Sequence, residues 1–201
     1  MAIGPDGTPR SVRVGKDGGR AALLVNGIVQ SISPLDGLAT GGYWAAMVPE
    51  DRPRTALILG LGGGTLARLL QARWRDVQLV GVDDDEAVLT LATEIGWLPT
   101  TADNLRVVRG DAFAYLRGSA NERFEFIAVD LFRGGQLDAR IFGKPALRQL
   151  RARLVPRGRL AVNLFKDRYA PERIARLGAL FDIRAEVPVG GNVVVHARRR
   201  R

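Results

Sequence analysis

From residue 54 onward, short apolar runs alternate with stretches of helical periodicity, and this rhythm is the strongest constraint on the fold. The runs are apolar at consecutive positions, which is typical of strands that helices cover on both faces. Only residues 188–192 separate the last two runs, which leaves room for a hairpin but not for a crossover helix. The sequence therefore predicts an α/β fold with a mostly parallel sheet and one antiparallel strand near its edge. The expected strands are 56–59, 77–82, 105–108, 126–129, 160–164, 184–187 and 193–196.

The first 50 residues follow a different pattern. The dipeptide Asn26-Gly27, between two apolar runs, is a strong signal for a small β-hairpin. A helix is expected toward the end of 34–48, and the polar run 49–53, bounded by prolines, then breaks the pattern. The expected organisation is an N-terminal arm, β-hairpin and helix in 1–50, the α/β domain in 51–197, and a basic tail in 198–201.

Composition excludes several kinds of site. The chain has 201 residues, no cysteine and a single histidine, so disulfides, thiolate zinc sites and histidine-cluster metal sites are excluded. No segment approaches the ~18 uninterrupted apolar residues of a membrane span. The N-terminus carries charges and glycines where a signal peptide needs an apolar stretch. We therefore expect a cytoplasmic protein with no metal and no membrane partner.

The charge balance allows two interpretations. Thirty Lys and Arg residues against 21 Asp and Glu give a formal net charge of +9. This excess is compatible with a polyanionic partner, or with a general bias toward arginine whose charges are scattered over solvated faces. Outside the run Arg198–Arg201 no dense basic cluster is present, and basic residues are not interleaved with aromatic ones. The sequence therefore disfavours a nucleic-acid partner.

A glycine-rich turn follows the first strand of the α/β region, at Gly60, Gly62, Gly63 and Gly64. Glycine permits a tight turn and lets backbone N–H groups approach a ligand closely. A strand-to-helix turn also uses glycine for purely structural reasons, so the turn alone is a weak signal.

Carboxylates at the ends of the following strands strengthen the case for a binding site at the glycine turn. Asp83 ends the second expected strand, at the position where an acid binds ribose hydroxyls in doubly wound sheets. Asp111 follows the third strand, and two roles fit it equally well: capping the next helix, or accepting a hydrogen bond from an adenine amino group. Asp130 closes the fourth strand, near the expected switch point of the sheet. Together these positions predict a site for an adenosine.

The motifs around these residues resemble those of class I S-adenosylmethionine-dependent methyltransferases. More specifically, they are similar to those of polyamine aminopropyltransferases, the spermidine synthase-like proteins. The resemblance covers roughly residues 22–165 and continues plausibly to 197. It rests on LLVNGIVQS (23–31), LILGLGGGT (57–65), VGVDDDEAV (80–88), RVVRGDAFAYL (106–116), FIAVD (126–130) and LVPRGRLAVNLF (154–165).

The resemblance implies a doubly wound, Rossmann-like sheet of seven strands. S-adenosylmethionine, or its decarboxylated form, is then the expected donor substrate, and no metal is implied. The resemblance also implies how the donor is held. The glycine turn, here Gly60, Gly62 and Gly64, would pass beneath the amino-acid or aminopropyl moiety of the donor. By the same resemblance Asp83 binds the ribose, Asp111 the adenine, and Gln30 the nucleotide.

The resemblance also suggests roles on the acceptor side. Asp130 matches the family acid thought to take a proton from the attacking amine, and Tyr43 falls where the family lines its acceptor pocket. A homodimer through the N-terminal hairpin is a further expectation from the family.

Two departures from the family concern the acceptor. The second acid of spermidine synthases is replaced by Arg133, and Tyr43 is followed by Trp44 and Ala45 rather than by His and Glu. A desolvated diamine needs paired carboxylates, and a like charge beside it costs several kcal/mol. We therefore expect methyl transfer to a small non-polyamine acceptor, and Arg133 suggests one that carries a carboxylate or phosphate. Aminopropyl transfer is the alternative, and a catalytically inactive nucleotide-binding partner subunit is another.

Overall fold

A computed structural model of the protein describes residues 2–3, 7, 9–34, 42–98, 104–118, 121–133 and 135–200. The expected helix before residue 49 is present as a short helix in 42–47, and the preceding residues 35–41 lie outside the described part of the chain. In chain order the N-terminal elements are β1 (Ala2–Ile3), β2 (Pro9–Arg10), β3 (Val12–Asp17), β4 (Arg20–Val25), β5 (Ile28–Ile32) and α1 (Gly42–Met47).

The α/β region follows, with regular alternation of strands and helices up to β9. Its elements are β6 (Thr55–Leu59), α2 (Thr65–Arg73), β7 (Gln78–Asp83), α3 (Glu86–Glu94), β8 (Leu105–Arg109), α4 (Ala112–Arg117), β9 (Phe124–Val129), β10 (Phe132–Arg133), β11 (Gln136–Leu137), a 3₁₀ helix (Ala139–Phe142), α5 (Lys144–Arg153), β12 (Leu154–Phe165), α6 (Ala170–Gly178), β13 (Phe181–Val189) and β14 (Asn192–Arg199).

Seven strands form the main sheet, in the order β13-β14-β12-β9-β6-β7-β8. β14 pairs antiparallel with both β12 and β13, while the other neighbours are parallel. The prediction of a doubly wound, mostly parallel seven-stranded sheet with one antiparallel strand near its edge is therefore confirmed. The chain proceeds outward from β6 to one side and from β9 to the other. Ligands of such sheets bind at this switch point, at the carboxyl ends of the strands.

Alternate side chains of the strands enter two separate core layers, because successive residues of a strand point to opposite faces. Leu57 and Leu59 of β6 pack into the layer covered by α4, α5 and α6. Ala56 and Ile58 pack into the opposite layer, which α1, α2, α3 and the N-terminal sheet cover. All four side chains are fully buried. The continuous apolar run that predicted this strand thus reflects burial on both faces.

The N-terminal sheet is larger than the predicted hairpin. The hairpin is present as β4 and β5, with positive φ at Asn26 and Gly27 in its turn. A third strand, β3, pairs antiparallel with β4 through a turn at Gly18 and Gly19, whose φ values are also positive. This strand lies in residues 1–20, where the sequence predicts a frayed arm that could include a short strand. Its exposed charged residues weaken the strand pattern.

At the C-terminus, β14 continues through Arg199, two residues into the expected basic tail. Arg198 pairs with Arg159 of β12 and with Asp182 of β13 in the sheet. The last residue of the chain lies outside the described part. Within that part, no helix combines the length and apolar character needed to cross a membrane.

Candidate functional site

A cavity of about 350 Å³ opens at the carboxyl ends of β6, β7, β8 and β9. The N-terminal hairpin and α1 form its other wall. Of the nine residues singled out from the sequence, eight line this cavity: Gln30, Tyr43, Gly60, Gly62, Asp83, Asp111, Asp130 and Arg133. The structure therefore brings together residues that are up to about a hundred positions apart in the chain.

The ninth residue, Gly64, lies behind the cavity, where it precedes α2 with φ of 84°. A Cβ atom at this position would come within 2.5 Å of the Leu98 side chain, so the glycine allows close packing there. Gly60 has φ of 88°, and a Cβ there would overlap the carbonyl oxygen of Asp130. Only glycine fits this crossing of the β6 and β9 strand ends.

Asp83 holds the glycine turn in place. One carboxylate oxygen accepts the N–H of Gly62 at 2.7 Å, and the other accepts the N–H of Asp85 at 2.9 Å. Burial raises the pKa of Asp83 to about 6, against the opposing effect of these two hydrogen bonds. Each carboxylate oxygen has a second lone pair. The side chain can therefore still accept hydrogen bonds from the hydroxyl groups of a ligand.

Asp130 lies at the end of β9, surrounded by hydrogen-bond donors. The amide of Asn163 donates to it at 2.8 Å, and the side chains of Tyr43 and Trp44 also hydrogen-bond to it. Burial raises the pKa of Asp130 to about 6 in spite of these donors. Burial and the neighbouring carboxylate together raise the pKa of Tyr43 well above its usual value. A carboxylate with a pKa near 6 is suited to exchange a proton near neutral pH.

Two asparagines fix the orientation of Asp130. Asn163 of β12 is fully buried, and its side-chain oxygen accepts a hydrogen bond from the amide of Asn192 at 2.9 Å. Sequence reasoning missed both asparagines. Asn163 lies within the motif at 154–165, but the motif assigns it no role, and its contact with Asp130 depends on the pairing of β12 with β9. Asn192 reaches Asn163 through the pairing of β14 with β12.

Arg133 does not present a free positive charge to the cavity. Its guanidinium donates to Asp84 at 2.6 Å, and both side chains are partly exposed. The expectation that Arg133 makes the acceptor pocket repel cations treats this charge as unpaired. In the structure a carboxylate 49 residues away in the chain neutralises it.

Arg10 of the N-terminal arm also lines the cavity, although no sequence motif predicts it. Its guanidinium is 2.7 Å from the carboxylate of Asp85, and only 10% of its side chain is exposed. Asp85 caps α3 by accepting the N–H of Val88 at 3.1 Å. This ion pair attaches the arm to the start of α3, the helix that follows Asp83.

Asp111 shows one of the two roles considered for it, the capping of α4, while the adenine contact stays a prediction. Its side chain caps α4 by accepting the N–H of Ala114 at 2.7 Å, and it also lines the cavity. His196 lies outside this site, where its ring nitrogen contacts the carbonyl of Ala46 at 2.8 Å.

A half-buried arginine behind the glycine turn joins the N-terminal sheet to the α/β domain. Arg68 of α2 donates to the carbonyl groups of Gly63 at 2.7 Å, Ile32 at 2.7 Å and Trp97 at 2.8 Å. The Ser31 hydroxyl accepts the N–H of Gly63 at 2.7 Å. Strand β5, which carries Gln30, is therefore hydrogen-bonded to the same turn that passes beneath the cavity.

Acidic side chains outnumber basic ones in the described lining of the cavity. Among the residues that the structure describes, six carboxylates and two guanidinium groups line the cavity, and both guanidinium groups are paired with lining carboxylates. Such a lining favours a cationic ligand over an anionic one. The six acids are Asp83, Asp84, Asp85, Asp111, Asp130 and Asp138. Over the described residues, no group of three acidic or histidine side chains is arranged to hold a metal ion.

Among known proteins, the sequence is similar to polyamine aminopropyltransferases. No protein-family model matches the chain. It is 31% identical over 140 residues to a protein named as a probable polyamine aminopropyl transferase in Bifidobacterium longum, covering 68% of this chain and 30% of the relative. It is 31% identical over 158 residues to the polyamine aminopropyltransferase of Chromobacterium violaceum, covering 75% of this chain and 59% of that protein. The chain thus spans less than two thirds of the length of these two relatives.

Solved structures show the same fold. A probable spermidine synthase from Corynebacterium glutamicum superposes with a TM-score of 0.76 at 16% identity, covering 94% of this chain and 77% of the other. Spermidine synthase from Thermotoga maritima gives 0.71 at 14% identity, with 96% and 70% covered. Human methyltransferase-like protein 13, in complex with SAH, gives 0.64 at 20% identity, with 74% and 72% covered. At these identities the structural likeness establishes the fold.

Proposed function

Because this chain is a spermidine synthase-like protein with a methyltransferase-like fold, we propose that it transfers an aminopropyl group from decarboxylated S-adenosylmethionine to an amine. The observation that carries this proposal is the acidic cavity at the switch point, with the buried carboxylate of Asp130 beside the glycine turn. The names of the sequence relatives support aminopropyl transfer more than methyl transfer.

The charge of the cavity bears on the choice of donor. Decarboxylated S-adenosylmethionine carries a sulfonium and an ammonium group, whereas S-adenosylmethionine carries a carboxylate in addition. A donor carboxylate would meet acidic neighbours here, and the two guanidinium groups of the described lining, Arg10 and Arg133, are already paired with acids. Like charges brought together in a desolvated site cost several kcal/mol. The lining therefore favours the decarboxylated donor.

The acceptor side is also compatible with an amine once the pairing of Arg133 is considered. Asp84 neutralises the charge of Arg133, and Asp130 places a carboxylate at the end of β9. A pKa of about 6 leaves Asp130 mostly ionised at neutral pH. It can therefore attract the ammonium form of an acceptor and take up a proton during the reaction.

In the proposed reaction the amine nitrogen attacks the carbon that joins the aminopropyl chain to the sulfonium sulfur. The carbon–sulfur bond breaks, its electron pair stays on sulfur, and neutral methylthioadenosine leaves. The proton lost by nitrogen passes to Asp130. The other lining residues contribute mainly by holding donor and acceptor in line, and positioning of this kind supplies roughly 7–11 kcal/mol in well-oriented reactions.

Methyl transfer to a non-polyamine acceptor is the second candidate. The presence of Arg133, three residues after Asp130, and of Trp44 and Ala45 after Tyr43 favours it, because paired acids for a diamine are missing at these positions. In this case the product would be S-adenosylhomocysteine. An inactive nucleotide-binding subunit would bind the donor and form neither product.

The test is an assay of product nucleosides by chromatography. The protein is incubated with each donor and a panel of diamines, polyamines and non-amine nucleophiles. We expect methylthioadenosine from the decarboxylated donor only when an amine is present. Asp130→Asn should lower the rate by about 10²–10⁴-fold, while Asp17→Asn, an exposed control on β3, should leave it unchanged. Production of S-adenosylhomocysteine alone would replace this proposal by methyl transfer.

A further inference from the structure

A second charged surface lies at the edge of the sheet opposite the cavity. It is formed where β9, β12 and β13 begin and where the antiparallel strand β14 ends, together with the last turn of α5. We call this surface the basic face. Its residues are Arg123, Arg151, Arg157, Arg184, Arg198 and Arg199.

The arginines of the basic face are close to one another. Four of them line a cavity of about 250 Å³ together with Asp182. Arg123 and Arg151 are near enough to Arg199 to lower its pKa, in addition to the larger effect of its burial. The positive charges therefore repel each other, and an anion bound among them would relieve that repulsion.

These charges have almost no acidic partners. In the part of the chain that the structure describes, the only carboxylate within 4.0 Å of any of them is Asp182, at 3.8 Å from Arg184. Asp182 is also engaged by Arg200 at 2.9 Å. In contrast, both arginines that line the large cavity form ion pairs shorter than 3 Å. Arg123, Arg198 and Arg199 each donate one hydrogen bond to a backbone carbonyl, which leaves most N–H groups of the basic face for an anion.

The backbone at Arg157 gives an independent indication. This residue has φ of 64°, in the left-handed region that favours glycine, at the irregularity where the pairing of β12 with β9 shifts register. Its carbonyl accepts a hydrogen bond from Arg198 at 2.9 Å, and its side chain is exposed. Strained positions of this kind are concentrated at functional sites. An exposed arginine at such a position points to a role for its side chain.

We propose that the basic face binds the phosphodiester backbone of a nucleic acid without reading its sequence. Guanidinium groups match phosphate oxygens in geometry and charge. The face extends over four neighbouring strands, which at about 4.8 Å per strand spacing is roughly 14 Å and wider than a single phosphate. A series of phosphates along one strand fits this extent.

The side chains around the basic face favour contact with a phosphodiester backbone over stacking on bases or insertion into a membrane. The large apolar side chains that the described residues expose are Val14, Ile28, Val107 and Tyr169, and none of them belongs to the basic face. The face therefore offers no aromatic platform on which bases would stack. It also lacks the apolar side chains that peripheral membrane proteins insert into a bilayer. The sequence-based expectation against a nucleic-acid partner relied on scattered charges, whereas folding gathers these arginines from five segments of the chain.

The proposal is tested by fluorescence anisotropy with a short labelled DNA duplex of mixed sequence and a labelled single-stranded RNA, over a series of KCl concentrations. If three to five phosphates are contacted, the log–log slope of affinity for the duplex against salt is about −2.7 to −4.5. The double variant Arg157→Gln/Arg184→Gln should weaken binding at least about tenfold and make the slope shallower by about 2. Arg13→Gln/Arg75→Gln removes the same charge from exposed positions elsewhere and should retain most of the affinity.

A second variant separates binding from folding. Arg157→Gly relieves the positive φ, so its melting temperature should be equal to or above that of the wild type, while its affinity for the duplex falls. Equal loss in the two double variants, or an affinity independent of salt, would overturn the proposal. Full inhibition by millimolar inorganic phosphate would assign the face to small phosphate ligands instead. Tighter binding to vesicles of anionic lipid than to the duplex would assign it to a membrane surface. None of these results depends on the transferase activity.

Discussion

Replacement of Arg68 by methionine should loosen the glycine turn and the N-terminal sheet together. The guanidinium of Arg68 donates to three backbone carbonyls, those of Gly63, Ile32 and Trp97, all at 2.7–2.8 Å. Burial lowers its pKa to about 10, so the group remains charged at neutral pH. Methionine fills a similar volume but leaves all three carbonyls without this donor.

The magnitude follows from these three bonds. Hydrogen bonds to a charged group contribute about 1.5–3 kcal/mol each, and removal of a buried charge returns part of this total because its desolvation is relieved. We expect a net loss of about 3–5 kcal/mol in the free energy of unfolding. For a chain of this size that corresponds to a melting temperature lower by roughly 6–20 °C.

The assay combines urea unfolding, calorimetric titration with the donor, and hydrogen exchange. The amides of Gly63 and Ile32 are bonded to Ser31 and Thr65 within the same network, so they should lose protection in the variant. Donor affinity should fall at least tenfold, since the turn beneath the cavity is no longer held. Amides of β14, on the far side of the sheet, should keep their relative protection.

Two further variants sharpen the test. Arg68→Lys keeps the charge but presents one donor group in place of the planar fork, so its stability and donor affinity should be intermediate. Arg73→Met, at an exposed position one turn further along α2, should change stability by less than about 1 kcal/mol. Wild-type donor affinity and exchange in Arg68→Met would refute the reasoning, because the turn would then be held without the arginine.

Three other predictions concern the cavity. The folded-state pKa values of Asp83 and Asp130 are about 6, above the ordinary value of 3.8. Between about pH 4 and 6 the folded protein therefore binds more protons than the unfolded chain. The free energy of unfolding should therefore fall as pH rises from about 4 to 6, and Asp130→Asn should flatten part of this fall in urea titrations. In rate measurements, Asp130 should give an acidic limb with an apparent pKa near 6. Gly60→Ala places a Cβ against the carbonyl of Asp130 at positive φ, and should abolish donor binding by calorimetry and lower the melting temperature measurably. Arg133→Gln frees Asp84 from its ion pair, and the KM for a diamine should decrease a few-fold with little change in donor affinity.

The sequence was sufficient to locate the cavity because the fold rule behind it is general. Parallel strands end at one edge of the sheet, so residues that follow strands, such as Gly60, Asp83 and Asp130, converge at the switch point whatever the details of packing. The position of the antiparallel strand was likewise predictable, since residues 188–192 are too few for a crossover.

What could not be predicted depends on side-chain contacts between distant segments. Arg10 reaches Asp85 from an arm whose local pattern is irregular, and Asn163 meets Asp130 only after β12 pairs with β9. Arg133 finds its partner 49 residues away, and this pairing changes the charge that an acceptor encounters. Neither propensity nor spacing carries information on such pairs.

The measurement that tests the central claim most directly is a calorimetric competition among decarboxylated S-adenosylmethionine, S-adenosylmethionine and NAD, with the wild type and Asp83→Asn. If the acidic cavity is built for a cationic adenosyl donor, the decarboxylated compound binds most tightly and the variant loses at least about tenfold of that affinity. Preference for NAD, or equal binding of all three by both proteins, would contradict the assignment of this cavity as the donor site.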